Sequence, residues 1–587
     1  MQELKYLNKY LFKYKWKLLL GILITIISRI FSLFTPKLIG NSMTLIENSI
    51  LDVGKISDNL EFLLGRNIFM ILSASLISSF FTFLMRQTII NVSRHIEFDL
   101  KNEIYNHYQS LCSLFYKTNR TGDLMSRITE DVSKVRMYVG PAIMYSINTI
   151  TLFVIVISFM FSISPSLTIY SLIPLPILSF TIYTLSKKIH IKSTVVQEYL
   201  AKLSTFSQEV FSGVKIIKSF NMQKIVTEKF DNLSISSKNK SIDLSKVQAL
   251  FFPLMILLIG ISNVIVIFVG GNQYIDGKID IGVIAEFIIY ITMLTWPVAV
   301  VGWVTSIIQQ AEASQNRINK FLRCKPSITN SGKILNLENT DIKFKNVSFK
   351  YPETNLYALK KVNFSIASGK TLGIVGKTGS GKSTILELIS RSYDITSGEI
   401  YLNGKILSSY NLKSLRSFIS YVPQNPFLFS DSIIENIKFG NHTANEDEVL
   451  KVAKDSSIHN DISRFKDKYE TLLGERGVNL SGGQKQRITI ARALLKKSKI
   501  LILDDCLSSV DSKTERDILF NIKKTKKKES VIIVSHKISS VMHADLILVL
   551  DKGIIVEKGT HNQLLSIDGF YKKLAQKQLI DIDLVKI

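Results

Sequence analysis

The chain has 587 residues, 46% of them hydrophobic, with a mean hydropathy of +0.21 and a formal net charge of +25. That length exceeds one core at about 150 residues per domain, and the apolar content is too high for a soluble enzyme from end to end. Three widely spaced cysteines, Cys112, Cys324 and Cys506, argue against a disulfide framework and a Cys-x-x-Cys metal site, so no structural metal is expected.

The opening MQELKYLNKYLFKYKWK is basic and aromatic and lacks the apolar core and small-residue cleavage site of a signal peptide. It reads as an amphipathic helix on the inner membrane surface. Apolar runs then recur at 17–39, 63–88, 141–163, 166–187, 247–270 and 283–307, each suited to crossing a hydrocarbon layer of about 30 Å. Lys and Arg crowd residues 89–140 and 188–246, whereas Ser162–Ser166 and Gly270–Gly282 carry almost none. This asymmetry puts the N-terminus and both long loops in the cytoplasm. An even number of spans leaves the C-terminal part there too. Because the positive charge follows a membrane face, no nucleic-acid partner is expected.

Within the spans the polar and aromatic residues are informative, since burying them in lipid is costly. Arg29 either lines a water-filled cavity and attracts acidic groups or pairs with a neighbouring helix. Glu286, near the outer end of the sixth span, is expected to snorkel to the interface. Phe80, Phe81, Phe83, Tyr290, Trp296 and Trp303 are expected to face lipid or pack, rather than to form an aromatic pocket.

The remainder reads as a soluble α/β domain. The apolar run Leu372, Ile374, Val375 leads into GKTGSGKST at Gly376–Thr384, which fits G-x-x-x-x-G-K-[ST]. In such a loop the backbone N–H groups of Gly376, Lys377, Thr378, Gly379, Ser380 and Gly381 turn around phosphate oxygens. Lys382 adds a full charge, the helix that follows adds its positive end, and the Ser383 hydroxyl ligates Mg²⁺. ILILDD at Ile500–Asp505 puts Asp504 at the end of a core strand, where it can hold the Mg²⁺ shell. The Lys-rich Asn521–Ser530 reads as a solvated helix end without a function of its own.

Further motifs follow in order: Tyr351 after IKFKNVSFK, Gln424 in SYVPQNPFLFSDSI, Glu475 in GERG, LSGGQ at Leu480–Gln484, Asp511 ending CLSSVD, and His536 ending VIIVSH. Six spans followed by this series closely resembles an ABC exporter half-transporter, from about residue 1 to 580. YKTNRTGDLMSRITEDVSKVR at Tyr116–Arg136 and EVFSGVKIIKSFN at Glu209–Asn221 resemble the two cytoplasmic loops of such exporters, whose short helices press on the nucleotide-binding domains.

The resemblance implies a six-span α-helical transmembrane domain at 1–320, a linker at 321–340 and an α/β P-loop ATP-binding domain at 341–587. It implies an ATPase that uses ATP and Mg²⁺ to export a hydrophobic or amphipathic substrate across the cell (inner) membrane. A dimer is required, because each ATP lies between the P-loop of one chain and the Ser481, Gly482, Gly483 and Gln484 segment of the other. In that scheme Tyr351 stacks on adenine and Thr384 is among the nucleotide-binding residues. Ser383, Gln424 and Asp504 serve the Mg²⁺, His536 contacts the γ-phosphate, and Asp511 links the two sites. One position departs from the pattern. Asp505 stands where the family has a catalytic glutamate, and a carboxylate one methylene shorter predicts a site that binds ATP well and hydrolyses it slowly. This resembles one half of a heterodimeric exporter, which is favoured over a homodimer with a workable aspartate. An ATP-gated channel or regulatory subunit is the alternative from another class, although no pore is marked.

Overall fold

The computed structural model describes residues 2–51, 60–526 and 528–584. Lys527, within the Lys-rich run, lies outside the described residues. The chain divides into two compact units, the first comprising Met1–Ser110 and Asn119–Lys325 and the second Leu111–Thr118 and Pro326–Ile587.

Among the described residues of the first unit, six helical stretches are long and apolar enough to cross a membrane: Lys15–Ile50, Leu60–Ser110, Thr121–Ile163, Pro165–Ser212, Gln223–Ile275 and Ile281–Leu322. Each contains one of the expected spans. The helices do not stop at the hydrocarbon boundary. Leu60–Ser110 has 51 residues, or roughly 75 Å at about 1.5 Å per residue, so much of what reads as long basic loops is helical extension. Large apolar side chains such as Phe69, Leu76, Phe180 and Ile256 point outward, as they do on helices whose solvent is lipid. The interior is built on Leu33, Val156, Val266, Phe287, Tyr290 and Leu294. Two glycines let the first and sixth spans touch: a Cβ on Gly282 would lie 2.1 Å from the Gly40 carbonyl oxygen.

Four expectations for this unit change or become definite. The N-terminal segment buries Leu4, Leu7 and Tyr10 and is tied to the long Leu60–Ser110 helix by Lys9–Glu103 and Lys13–Asp99 ion pairs, both at 2.6 Å. It is therefore docked on protein, with Phe12 and Trp16 left exposed. Glu286 does not snorkel; it is 6% exposed and accepts a hydrogen bond from the Tyr290 hydroxyl at 2.5 Å, because its place on the helix faces the glycine contact with the first span. Arg29 pairs with a neighbouring helix, its Nε donating to Asn148 Oδ1 at 2.6 Å. The aromatic set shares no single environment, since Tyr290 is fully buried while Phe80, Phe83, Trp296 and Trp303 are exposed.

The described residues of the second unit form two sheets. One has the order β2-β1-β4-β5, from β1 (Ile342–Lys350), β2 (Tyr357–Ile366), β4 (Ser397–Leu402) and β5 (Lys405–Ile406), all antiparallel. The other has the order β10-β9-β3-β8-β7-β6, from β3 (Thr371–Gly376), β6 (Ile419–Val422), β7 (Ile500–Asp504), β8 (Ser530–Val534), β9 (Leu546–Asp551) and β10 (Ile554–Gly559). Its first strand in that order, β10, runs antiparallel to β9 and the rest are parallel. Strands covered on both faces read as unbroken apolar runs, and all five residues of β7 and of β8 are buried. Alternation sorts them: Ile500 and Ile502 join the core beside the antiparallel sheet, while Leu501 and Leu503 join the helical core opposite.

Candidate nucleotide site

The parallel strands end on one edge, where an open α/β sheet leaves a crevice for ligands. From β3 the chain passes through Lys377–Gly381 into the helix Lys382–Ile389. The loop needs its glycines: Gly379 and Gly381 have φ of 79° and 99°, and a Cβ on Gly381 would stand 2.5 Å from the Ala358 carbonyl oxygen. Lys382 is folded over this loop, its ammonium donating to the Gly376 and Lys377 carbonyls at 2.8 and 2.9 Å. Burial pushes that ammonium below its usual range, while Asp505 and Asp504 pull it back up. Ser380, 2% exposed, has no partner for its hydroxyl.

Two strands away, β7 delivers Asp504, 5% exposed. Ser383 Oγ donates to Asp504 Oδ1 at 2.9 Å and the Tyr421 hydroxyl to Oδ2 at 2.8 Å. Burial raises the Asp504 carboxyl above the ordinary range, and these two donors counter it. A hydroxyl and a carboxylate oxygen at this spacing are hard donors of the kind magnesium takes, with phosphates and water completing its shell. Asp505 has a left-handed backbone with φ 44°, a region aspartate enters more readily than most residues. Its Oδ2 accepts from Gln424 Nε2 at 3.2 Å and lies 3.9 Å from His536 Nε2. Gln424 follows β6 and His536 follows β8, so Lys382, Ser383, Gln424, Asp504, Asp505 and His536 gather from the ends of four neighbouring strands.

Tyr351 is turned onto the P-loop helix. Its hydroxyl donates to Glu387 Oε2 at 2.8 Å and sits 3.0 Å from Thr384 Oγ1, with the ring packed edge-on against Phe349 and Tyr393. Glu387 also receives Lys117 of the short helix Ser113–Thr118 at 3.2 Å, and Lys117 donates to the Tyr393 hydroxyl at 2.9 Å. This Lys117–Glu387–Tyr393 group and the Tyr421 contact escape sequence reading. A tyrosine two residues before the VPQ proline is the only visible trace of the latter.

Within LSGGQ, Leu480 is buried, Ser481 and Gly482 are exposed, and the segment caps its own helix, Gly482–Leu495. Ser481 Oγ accepts from Gln484 N at 3.3 Å and Gln484 Oε1 accepts from Ser481 N at 3.0 Å, a reciprocal capping box. The Ser and Gln beside the glycines thus have a local structural use as well. Among the described residues these side chains spend their bonds on each other and on Asp461, none on the phosphate loop. Asp511 likewise caps the helix Ser512–Thr525 by accepting from Thr514 N at 2.9 Å.

Comparison with known proteins bears on the whole chain. Residues 18–298 match the ABC transporter transmembrane region family and residues 359–508 the ABC transporter family. The multidrug resistance-like ATP-binding protein MdlA of Buchnera aphidicola subsp. Schizaphis graminum is 36% identical over 96% of both chains. The probable multidrug resistance ABC transporter ATP-binding/permease protein YheI of Bacillus subtilis is 34% identical over 95% of this chain and 94% of its own. An ATP-dependent lipid A-core flippase of Syntrophus aciditrophicus is 33% identical over 83% of this chain and 81% of its own. The fold matches that of a bacterial Atm1-family ABC exporter with ATP bound, at a TM-score of 0.79 and 23% identity over 96% of this chain and 99% of that one. Membrane spans and nucleotide site thus sit in one polypeptide, and the chain belongs to the ABC transporter family as an exporter half-transporter, an integral multi-pass membrane protein that couples ATP hydrolysis to transport.

Proposed function

We propose that this chain is the catalytically slow half of a heterodimeric exporter that moves a hydrophobic or amphipathic molecule out through the cell membrane, its ATP-binding domain facing the cytoplasm. Relatives named for multidrug resistance and for lipid A-core flipping support that substrate class. The observation that carries the slow-site reading is Asp505. Its short carboxylate is drawn onto Gln424, so it must both leave that partner and reach further to meet an attacking water. Loss of general-base positioning of this kind costs about 10² to 10⁴ in rate.

The remaining residues fit tight ATP binding. On arrival of the triphosphate Lys382 exchanges two loop carbonyls for phosphate oxygens, while the glycine loop and the helix starting at Lys382 hold the anion. Ser383 and Asp504, with Gln424 beside them, would hold Mg²⁺, which when bound neutralises charge on the β- and γ-phosphates. Asp505 takes up the proton of the attacking water, His536 contacts the γ-phosphate, and Tyr351 turns from Glu387 to stack on adenine. Ser481 and the Gly482 and Gly483 amides offer a helix N-terminus to ATP held by the partner.

The test is ATP hydrolysis by the purified chain alone in lipid, beside Asp505→Glu and with Lys382→Ala as the inactive control. A nearly silent native chain with a many-fold faster Asp505→Glu is expected. Native turnover above about 1 s⁻¹, within the ordinary enzyme range, would replace this reading with a working homodimer.

A further inference from the structure

Tyr421 is a side chain at the nucleotide site whose chemistry the scheme above leaves unused. It lies on β6, where it pairs in register with Ile502 of β7. Asp504 is two residues beyond Ile502 and so projects from the same face of the sheet. A diagonal neighbour at that offset stands about 7–8 Å away, within reach of an aromatic ring but not of a short side chain. The Tyr421 hydroxyl spans it and donates to Asp504 Oδ2 at 2.8 Å.

Packing does not account for the tyrosine. Tyr421 is 36% exposed as a residue and borders a cavity of about 570 Å³ shared with Lys117, Phe439 and Arg492. The hydroxyl, by contrast, has a definite task. Asp504 is an acceptor on both oxygens, with Ser383 on Oδ1 at 2.9 Å and Tyr421 on Oδ2. A carboxylate at a strand end is free to rotate about its terminal torsion, which has a broad profile. One donor on each oxygen removes that freedom and turns Oδ1 toward Ser383.

We propose that Tyr421 is a positioning residue for ATP hydrolysis: its hydroxyl holds the Asp504 carboxylate in the orientation that receives the divalent cation accompanying ATP. The inference rests on Asp504 as a cation ligand. Partners that orient a ligating carboxylate typically change metal affinity about 10- to 100-fold when removed, and Tyr421→Phe removes the hydroxyl while keeping the ring.

The experiment uses the full chain in lipid with a non-hydrolysable ATP analogue and Mn²⁺ as the probe, read by electron paramagnetic resonance. Nucleotide affinity in EDTA is measured alongside, for the native chain, Tyr421→Phe and Asp504→Asn. The expected result is about tenfold weaker Mn²⁺ binding in Tyr421→Phe, unchanged nucleotide affinity in EDTA, and, in the Asp505→Glu background, hydrolysis recovered at high Mg²⁺. Mn²⁺ affinity within twofold of native in Tyr421→Phe, together with a large loss in Asp504→Asn, overturns the role of Tyr421 alone. An unaltered Mn²⁺ affinity in Asp504→Asn overturns the assignment of the ligand itself, and with it this inference. Loss of nucleotide binding in EDTA in Tyr421→Phe would mark a general distortion and also overturn it.

Discussion

The two units place their polar chemistry in opposite ways. In the nucleotide-binding unit the reactive groups sit at the ends of adjacent parallel strands, so sheet order alone brings Lys382, Gln424, Asp504, Asp505 and His536 together. In the membrane unit the polar groups come from helices far apart in sequence or buried within one, as in Arg29 with Asn148, Asn67 with Ser42, Tyr274 with Glu47 and Tyr290 with Glu286. A backbone that concentrates charge at one edge can run chemistry there. Dispersed pairs act as fasteners, each giving a polar group a partner within the protein.

If that contrast is right, substitutions at the strand ends should abolish function with little loss of stability, and the membrane pairs should do the reverse. The largest effect is expected for Lys382→Ala. In the Asp505→Glu background, removing a preorganised charge from the phosphates should slow hydrolysis by about 10² to 10³ or more, while the thermal transition in detergent moves little, because among the described residues the ammonium hydrogen-bonds to two carbonyls of its own loop. A large drop in thermal stability would show that Lys382 is also a structural clasp.

The membrane counterpart is Gly282→Val. A Cβ there would sit 2.1 Å from the Gly40 carbonyl oxygen and 2.4 Å from Thr44 Oγ1, so the first and sixth spans must part. Overpacking of this kind costs about 1–3 kcal/mol. Gly260→Ala is the matched control, since nothing lies within 4 Å of its would-be Cβ, and a change within about 0.5 kcal/mol is expected. Thermal unfolding in detergent separates the two, and equal effects would dissolve the claim that the glycine contact is a fastener. Smaller still is Tyr290→Phe, which leaves the buried Glu286 without its donor. Double-mutant cycles in membrane helices put such bonds near 0.6 kcal/mol, with a maximum near 1.7, and a cycle with Glu286→Gln measures this one.

Legibility from sequence follows the same division. The spans and the P-loop were readable because their signals are local: a run of apolar residues, or glycines, a lysine and a serine at fixed spacing. Glu286 misled because its depth near a helix end suggested the interface, whereas its azimuth, set by the Gly40–Gly282 contact, turned it inward. Tyr421 and the Lys117–Glu387 pair were invisible because each needs knowledge of which strands or loops are neighbours. LSGGQ shows the converse: a motif legible as nucleotide-binding proved also to be a capping box, with Ser481 and Gln484 three residues apart as helix geometry requires.

A pH-dependent effect of similar small size tests whether the strand-end architecture has fasteners of its own. Asp545 accepts from the Thr371 backbone N–H at 2.8 Å and from the Lys370 ammonium at 3.0 Å, clamping the start of β3, the strand that feeds the P-loop. Partial burial raises its carboxyl, yet the two donors outweigh that and hold it below the ordinary value of 3.8. A depressed folded pKa means that the clamp contributes its full stability above the unfolded value and loses it as pH falls through the lower, folded one. Asp545→Asn should therefore lower stability by a constant amount near neutrality, and that gap should close below about pH 4. With the carboxylate 43% exposed, solvent screening limits the effect to about 1 kcal/mol or less. Thermal scans of both forms from pH 7.5 down to 3.5 would resolve it. A gap that persisted unchanged into acid would mean that asparagine disturbs the Thr371 bond sterically, and that charge at the root of β3 contributes nothing.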